Sequence, residues 1–178
     1  CRRGNRCLYF AVEASENEFI RNVGSIGRDL EKWNEQGHLQ FIMSRSSQYN
    51  LEQQLVEIDD EVKHFSADTV IIDPISNLAI GRSSTDVKSM TSRLLDLLKN
   101  RGVTALFTAL TGAESRTPES VVGISSVVDS WITLRNWETN GEQTRIMRIV
   151  KSRGMAHSNQ LREFLINDSG IDLVEVYT

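Results

Sequence analysis

Apolar positions along this chain follow two periods that alternate in order. Short unbroken runs, such as Leu8-Tyr9-Phe10-Ala11-Val12 and Val70-Ile71-Ile72, read as strands buried on both faces of a parallel sheet. Between them lie longer stretches with one apolar stripe at helical spacing. The first strand covers 7–12 and is closed by Glu13. Ser15 with Glu18 three residues on makes a capping-box pattern, and Phe19, Val23 and Ile26 predict a helix over 16–26 that Gly27 ends. A shorter helix is expected over 30–36, then a strand over 39–43 and a polar loop over 44–50. Leu51, Leu55, Ile58 and Val62 mark the next helix, which leads into a strand ending at Asp73-Pro74. Residues 77–84 read as a loop with room for a helical turn. Val87, Met90, Leu94, Leu97 and Leu98 define a further helix, closed by Asn100-Arg101-Gly102, and 103–108 is another buried strand. Strand and helix in strict alternation predict a parallel α/β sheet with right-handed crossovers.

The pattern changes after that. Residues 111–123 are polar with little period, and 124–129 read as a short helix or turn. Asn140-Gly141 between Trp131–Arg135 and Thr144–Val150 is a strong hairpin signal, and 163–166 reads as a last strand before Asp168-Ser169-Gly170. The expected end of the domain is therefore an antiparallel edge on a mostly parallel core.

Composition narrows the class without naming it. The 178 residues are 39% hydrophobic and 25% charged, enough for one domain over 1–178. A net charge of −4 offers no global attraction to nucleic acid or to anionic membrane. No apolar run approaches the roughly 20 residues needed to cross a bilayer, and the N-terminus has no signal-peptide pattern. Cys1 and Cys7 have no zinc-type partners and read as reduced thiols of a cytoplasmic protein. The chain opens Cys1-Arg2-Arg3-Gly4 with no initiator methionine, so the expectation is an N-terminally truncated fragment.

The candidate chemistry begins at Asp73. Ligands in open α/β sheets bind outside the carboxyl ends of the strands, where this carboxylate sits. In a nucleotide hydrolase such a strand-ending Asp arranges Mg²⁺, directly or through water. The same residue could equally open a turn. No Gly-rich loop ending Gly-Lys-Ser/Thr occurs anywhere in the chain.

Over nearly its whole length the chain resembles the KaiC family, circadian-clock and signalling ATPases of the RecA-like superfamily. The most specific stretch is Lys151-Ser152-Arg153-Gly154-Met155-Ala156-His157-Ser158-Asn159-Gln160-Leu161-Arg162-Glu163-Phe164. Phe10-Ala11-Val12-Glu13, Ile20-Arg21-Asn22-Val23 and Ile124-Ser125-Ser126-Val127-Val128-Asp129 support it. The resemblance implies a three-layer RecA-like P-loop ATPase fold, ATP and Mg²⁺ as ligands, and a hexameric homo-oligomer with signalling partner proteins. It implies a phosphate-binding loop upstream of the first strand here, so this chain alone should bind ATP weakly.

Site residues follow position by position. Glu13 ends the strand beside that of Asp73, so two carboxylates should converge, one for Mg²⁺ and one to orient or deprotonate the nucleophile. The family commonly carries two adjacent glutamates there; this chain has Glu13-Ala14. Glu13 could also simply cap the next helix. Lys151 and Arg153, two apart on a strand-like segment, project from one face and could grip a triphosphate. By resemblance they reach the neighbouring subunit's nucleotide, with Arg145 and His157 nearby; by charge alone they would serve as a solvated edge. Ser125 and Ser126 fall where the family's phosphorylatable half carries its acceptors, implying a Ser/Thr autokinase, although a helix N-cap pair reads the same way.

Two other readings share the fold. A DNA-binding recombinase would need basic loops, yet 44–50 and 111–123 contain only Arg45 and Arg116 as cations. A catalytically dead interaction scaffold is the third.

Overall fold

The fold was obtained as a computed structural model, which describes residues 1–11, 15–43, 51–79, 83–110, 126–139 and 141–175. The alternating periods resolve into β1 (Cys7–Ala11), α1 (Glu16–Gly24), α2 (Glu31–Glu35), β2 (Leu39–Met43), α3 (Leu51–Phe65), β3 (Thr69–Asp73), α4 (Ser84–Asn100) and β4 (Thr104–Phe107). These strands form one parallel sheet in the order β2-β1-β3-β4. The helix expected over 16–26 ends at Gly24, because the chain turns through Ser25 to reach Gly27 at φ +72°. The expected loops over 44–50 and 111–123, and the start of the 124–129 turn, lie outside the described residues.

Successive side chains on a strand point to opposite faces, and here both faces are covered. Leu8, Phe10, Val70 and Ile72 pack against Leu55, Ile58 and Val62 of α3 and Val87, Leu94 and Leu98 of α4. On the opposite face Tyr9, Ala11 and Leu39 pack with Phe19 of α1 and Trp33 of α2. Helices on both faces of a parallel sheet give the three-layer α/β arrangement.

Two local devices set the helix positions. Ser15 accepts from the Glu18 backbone N–H while the Glu18 side chain accepts from Ser15, a complete capping box on α1. Ser15→Ala should cost about 1 kcal/mol in a chemical unfolding titration. At the other end of the sheet Asp59 of α3 is held by Lys63 and by Arg101, the latter at 2.7 Å after α4. Those hydrogen bonds, Lys63 first, hold the Asp59 carboxyl below its usual range. A carboxylate depressed on folding stabilises the fold above its ordinary value and loses that contribution as pH falls through the folded value. Stability should therefore drop below about pH 4, and the drop should be shallower in Asp59→Asn, measured by acid titration of the unfolding midpoint.

The remaining strands are β5 (Ser130–Thr139), β6 (Glu142–Ser152), β7 (Arg162–Asn167) and β8 (Gly170–Glu175). The antiparallel C-terminal portion, read from sequence as an edge, closes as its own four-stranded sheet, β5-β6-β7-β8. Each of these strands pairs antiparallel with the next in sequence, β6 with β7 at two positions only. β8 was not anticipated. It pairs with β7 through Asn167–Gly170, where Ser169 N–H donates to the Asn167 side chain. Register places Ile132, Leu134, Ile171 and Leu173 on one face of this sheet, each more than half exposed.

The two sheets touch where the α1–α2 connection meets the β7–β8 turn. A Cβ at Gly27 would lie 2.2 Å from the Asp168 carbonyl oxygen, and one at Gly170 would lie 2.3 Å from the Arg28 guanidinium.

Candidate functional site

β3 runs through the middle of the parallel sheet and delivers Asp73 to its carboxyl end. Ala11 of β1 lies in register with Asp73, and Thr108 follows β4 on the other side, its N–H bonded to the Ile72 carbonyl at 3.1 Å. Thus the ends of three parallel strands converge on one carboxylate. Glu13 lies two residues past Ala11, outside the described residues, as does Ser125.

Both oxygens of the Asp73 carboxylate are engaged by hydroxyls. Its Oδ2 accepts the hydroxyl of Tyr9 and its Oδ1 the hydroxyl of Thr108. Tyr9 reaches it because residues 9 and 71 are in register and the phenol spans to the next same-face position on β3. The ring is braced by Phe19 at 4.5 Å and Phe41 at 5.6 Å between centroids, so it has little freedom to swing away. Burial first, then the bond to Asp73, pushes the Tyr9 phenol far above the usual tyrosine range; it stays protonated and a donor. Sequence reading passed over Tyr9 and Thr108. The only signal was a polar tip inside otherwise apolar strand runs.

Just past Pro74 the chain enters a 3-10 turn, Ile75–Ala79, anchored by Ile75 N–H to the Thr108 carbonyl at 2.8 Å. The Ser76 Oγ and Asn77 Nδ2 are buried there without a hydrogen-bond partner. Among the described residues no three His, Cys, Asp or Glu side chains converge. What converges at Asp73 is one carboxylate flanked by two hydroxyls. It fits Mg²⁺, which keeps several waters and is held by one or two carboxylates together with substrate phosphates. Hollows of about 390 Å³ beside Gly27 and Leu30 and about 320 Å³ at Asp59 and Arg93 include none of the predicted site residues.

The predicted cations form a separate group. Lys151 is half-buried on β6 beside Trp131, at the register shift between Trp131 and Ile132. Arg153 lies just past the end of β6, so the shared strand face expected for the pair does not extend to it. Its N–H donates to the Asp129 carbonyl at 2.8 Å and its guanidinium to the Ser126 carbonyl at 2.7 Å. Asp129 also receives Lys99 at 2.7 Å, and Lys99 first, then Arg153 and Lys151, hold its carboxyl below the usual range. Ser126 thus sits on a segment clamped by Arg153. Arg145 is exposed on β6 opposite Asn136, and His157 is exposed in the connection to β7.

A family model described as "ATPase: KaiC" matches residues 1–177. The circadian clock protein KaiC2 of Synechocystis sp. is 43% identical over 99% of this chain and 32% of its own length. The circadian clock oscillator protein KaiC of Parathermosynechococcus lividus is 34% identical over 97% of this chain and 32% of its own length. That of Synechococcus elongatus is 31% identical over 99% of this chain and 34% of its own length. The chain spans about a third of these curated relatives.

Proposed function

The chain belongs to the KaiC ATPase family, and from that premise we propose that residues 1–178 act as one domain of a clock-type ATP-hydrolysing signalling protein. The supporting observation is Asp73, a carboxylate at the carboxyl end of a central parallel strand, with both oxygens fixed by neighbouring strands. Bound there with ATP, Mg²⁺ would neutralise charge developing on the transferred phosphoryl group. Asp73 would hold that ion, directly or through water. Glu13, two residues beyond the end of β1 in the sequence, orients or deprotonates the attacking nucleophile.

Lys151 and Arg153, with Arg145 and His157, contact phosphate across a subunit boundary in a hexameric ring. The half-exposed apolar face of Ile132, Leu134, Ile171 and Leu173 favours such assembly. Ser125 and Ser126 accept phosphoryl from the neighbour's nucleotide, since such transfer depends on positioning. Peptide mapping of a Synechocystis KaiC2 carrying residues 1–177 in its matching third, after incubation with MgATP, should find phosphate on one of the two serines. Among the described residues no helix is long and apolar enough to cross a membrane.

By itself this chain should bind MgATP weakly, because no residues in it supply a Gly-rich phosphate cradle. A calorimetric titration giving tight binding would overturn that. The activity is tested by transplanting residues 1–177 into the matching third of the Synechocystis KaiC2. The transplant should retain the parent's phosphate release, and Asp73→Asn should lower it by at least about tenfold. A folded transplant whose phosphate release is indifferent to Asp73→Asn would remove Asp73 from the mechanism.

A further inference from the structure

We propose that Tyr9 and Thr108 are positioning residues for a divalent cation at Asp73, and that their two hydroxyls set which cation the carboxylate takes. The inference rests on the reading of Asp73 as the metal carboxylate. An ionised carboxylate offers two oxygens with about four lone-pair directions. Here each oxygen already accepts one hydroxyl, from opposite flanking strands. The carboxylate plane is therefore held from both sides, and each oxygen retains one outward direction.

A cation, or a water bound to it, can then approach one oxygen end-on. Symmetric two-oxygen chelation would have to displace a hydroxyl. Mg²⁺ and Mn²⁺ are small and accept one oxygen per carboxylate with their waters retained, whereas Ca²⁺ readily takes both oxygens in looser geometry. The clamp thus favours the smaller ions. Its rigidity comes from packing. The Tyr9 side chain is almost fully buried between Phe19 and Phe41, and the Thr108 backbone is bonded to Ile72 and Ile75 on both sides. The Tyr9 hydroxyl cannot follow Asp73 if it rotates, so a rotated carboxylate would lose that hydrogen bond.

The test uses the 178-residue chain, labelled with ¹⁵N, titrated with Mn²⁺ alone and followed by paramagnetic broadening of backbone amides. Broadening should centre on the ends of β3 and β4 and vanish in Asp73→Asn. Tyr9→Phe and Thr108→Val should each raise the half-saturating Mn²⁺ concentration on the order of tenfold, as loss of a partner orienting a metal ligand does. Thr108→Ser, which keeps the hydroxyl, should stay close to the parent. Competition should show Mg²⁺ displacing Mn²⁺ more readily than Ca²⁺ does in the parent, with that preference reduced in Tyr9→Phe. Dispersed amide spectra for each variant separate these effects from unfolding. Broadening at Asp73 that is unchanged in both Tyr9→Phe and Thr108→Val overturns the clamp and leaves the metal reading standing. No broadening at Asp73 in the parent overturns both.

Discussion

Replacing Leu94 by Ala should lower the unfolding free energy by about 3–4 kcal/mol, the range for emptying a fully buried leucine site. Leu94 is 0% exposed in the middle of α4, inside the cluster that joins α3, α4 and one face of the parallel sheet. Such a loss is a large part of the 5–15 kcal/mol that holds most proteins folded. It would be felt directly at Asp73, since Ile72 and Ile75 on either side of it belong to the same cluster. Val56→Ala on α3, where the side chain is 60% exposed, should change stability by less than about 0.5 kcal/mol. Urea titrations of both variants, compared at constant slope, check the contrast; similar midpoints would mean the α4 face is not packed as described.

Gly27→Ala should be the second severe change, costing about 3 kcal/mol or more. Two effects act together there. The left-handed φ of +72° strains any side chain, worth about 1–2 kcal/mol. The added Cβ would also meet the Asp168 carbonyl oxygen at 2.2 Å, so the β7–β8 turn must move away. Gly37 provides the control, with φ +69° and open space around a built Cβ. The excess of Gly27→Ala over Gly37→Ala reads the steric contact between the two sheets. Amide hydrogen exchange at β7 and β8 should accelerate only in Gly27→Ala. Equal costs for the two variants would show that the turn yields freely.

Most of the parallel half was legible because its signals are local. Unbroken β-favouring runs, a capping box at Ser15 and Glu18, and an apolar stripe from Leu51 to Val62 each carry their period within a few residues. Asp73 was found for the same reason, as the polar stop of an apolar strand. The antiparallel half was read less completely. Ile171-Asp172-Leu173-Val174 alternates as a strand should, but its partner is set by the turn at Asn167–Gly170, and the stretch after that turn was passed over. Arg153 shows a different limit. Its spacing from Lys151 suggested a shared face, yet β6 ends at Ser152, and the Arg153 side chain turns to the Ser126 carbonyl on a segment more than twenty residues earlier.

Hydrophobic period and turn chemistry are encoded by near neighbours, so the order of the parallel strands and helices, the capping box on α1 and the place of Asp73 at a strand end were readable from the chain alone. The family stretch from Lys151 to Phe164 was equally readable as letters. That β5 to β8 form their own sheet, that Gly27 must stay bare, and that Tyr9 and Thr108 hold Asp73 between them emerges only from the folded chain. Those facts depend on strand register and on residues 64 and 35 positions from Asp73 meeting across a sheet. Such meetings arise when distant apolar faces are buried together, and no local pattern specifies them.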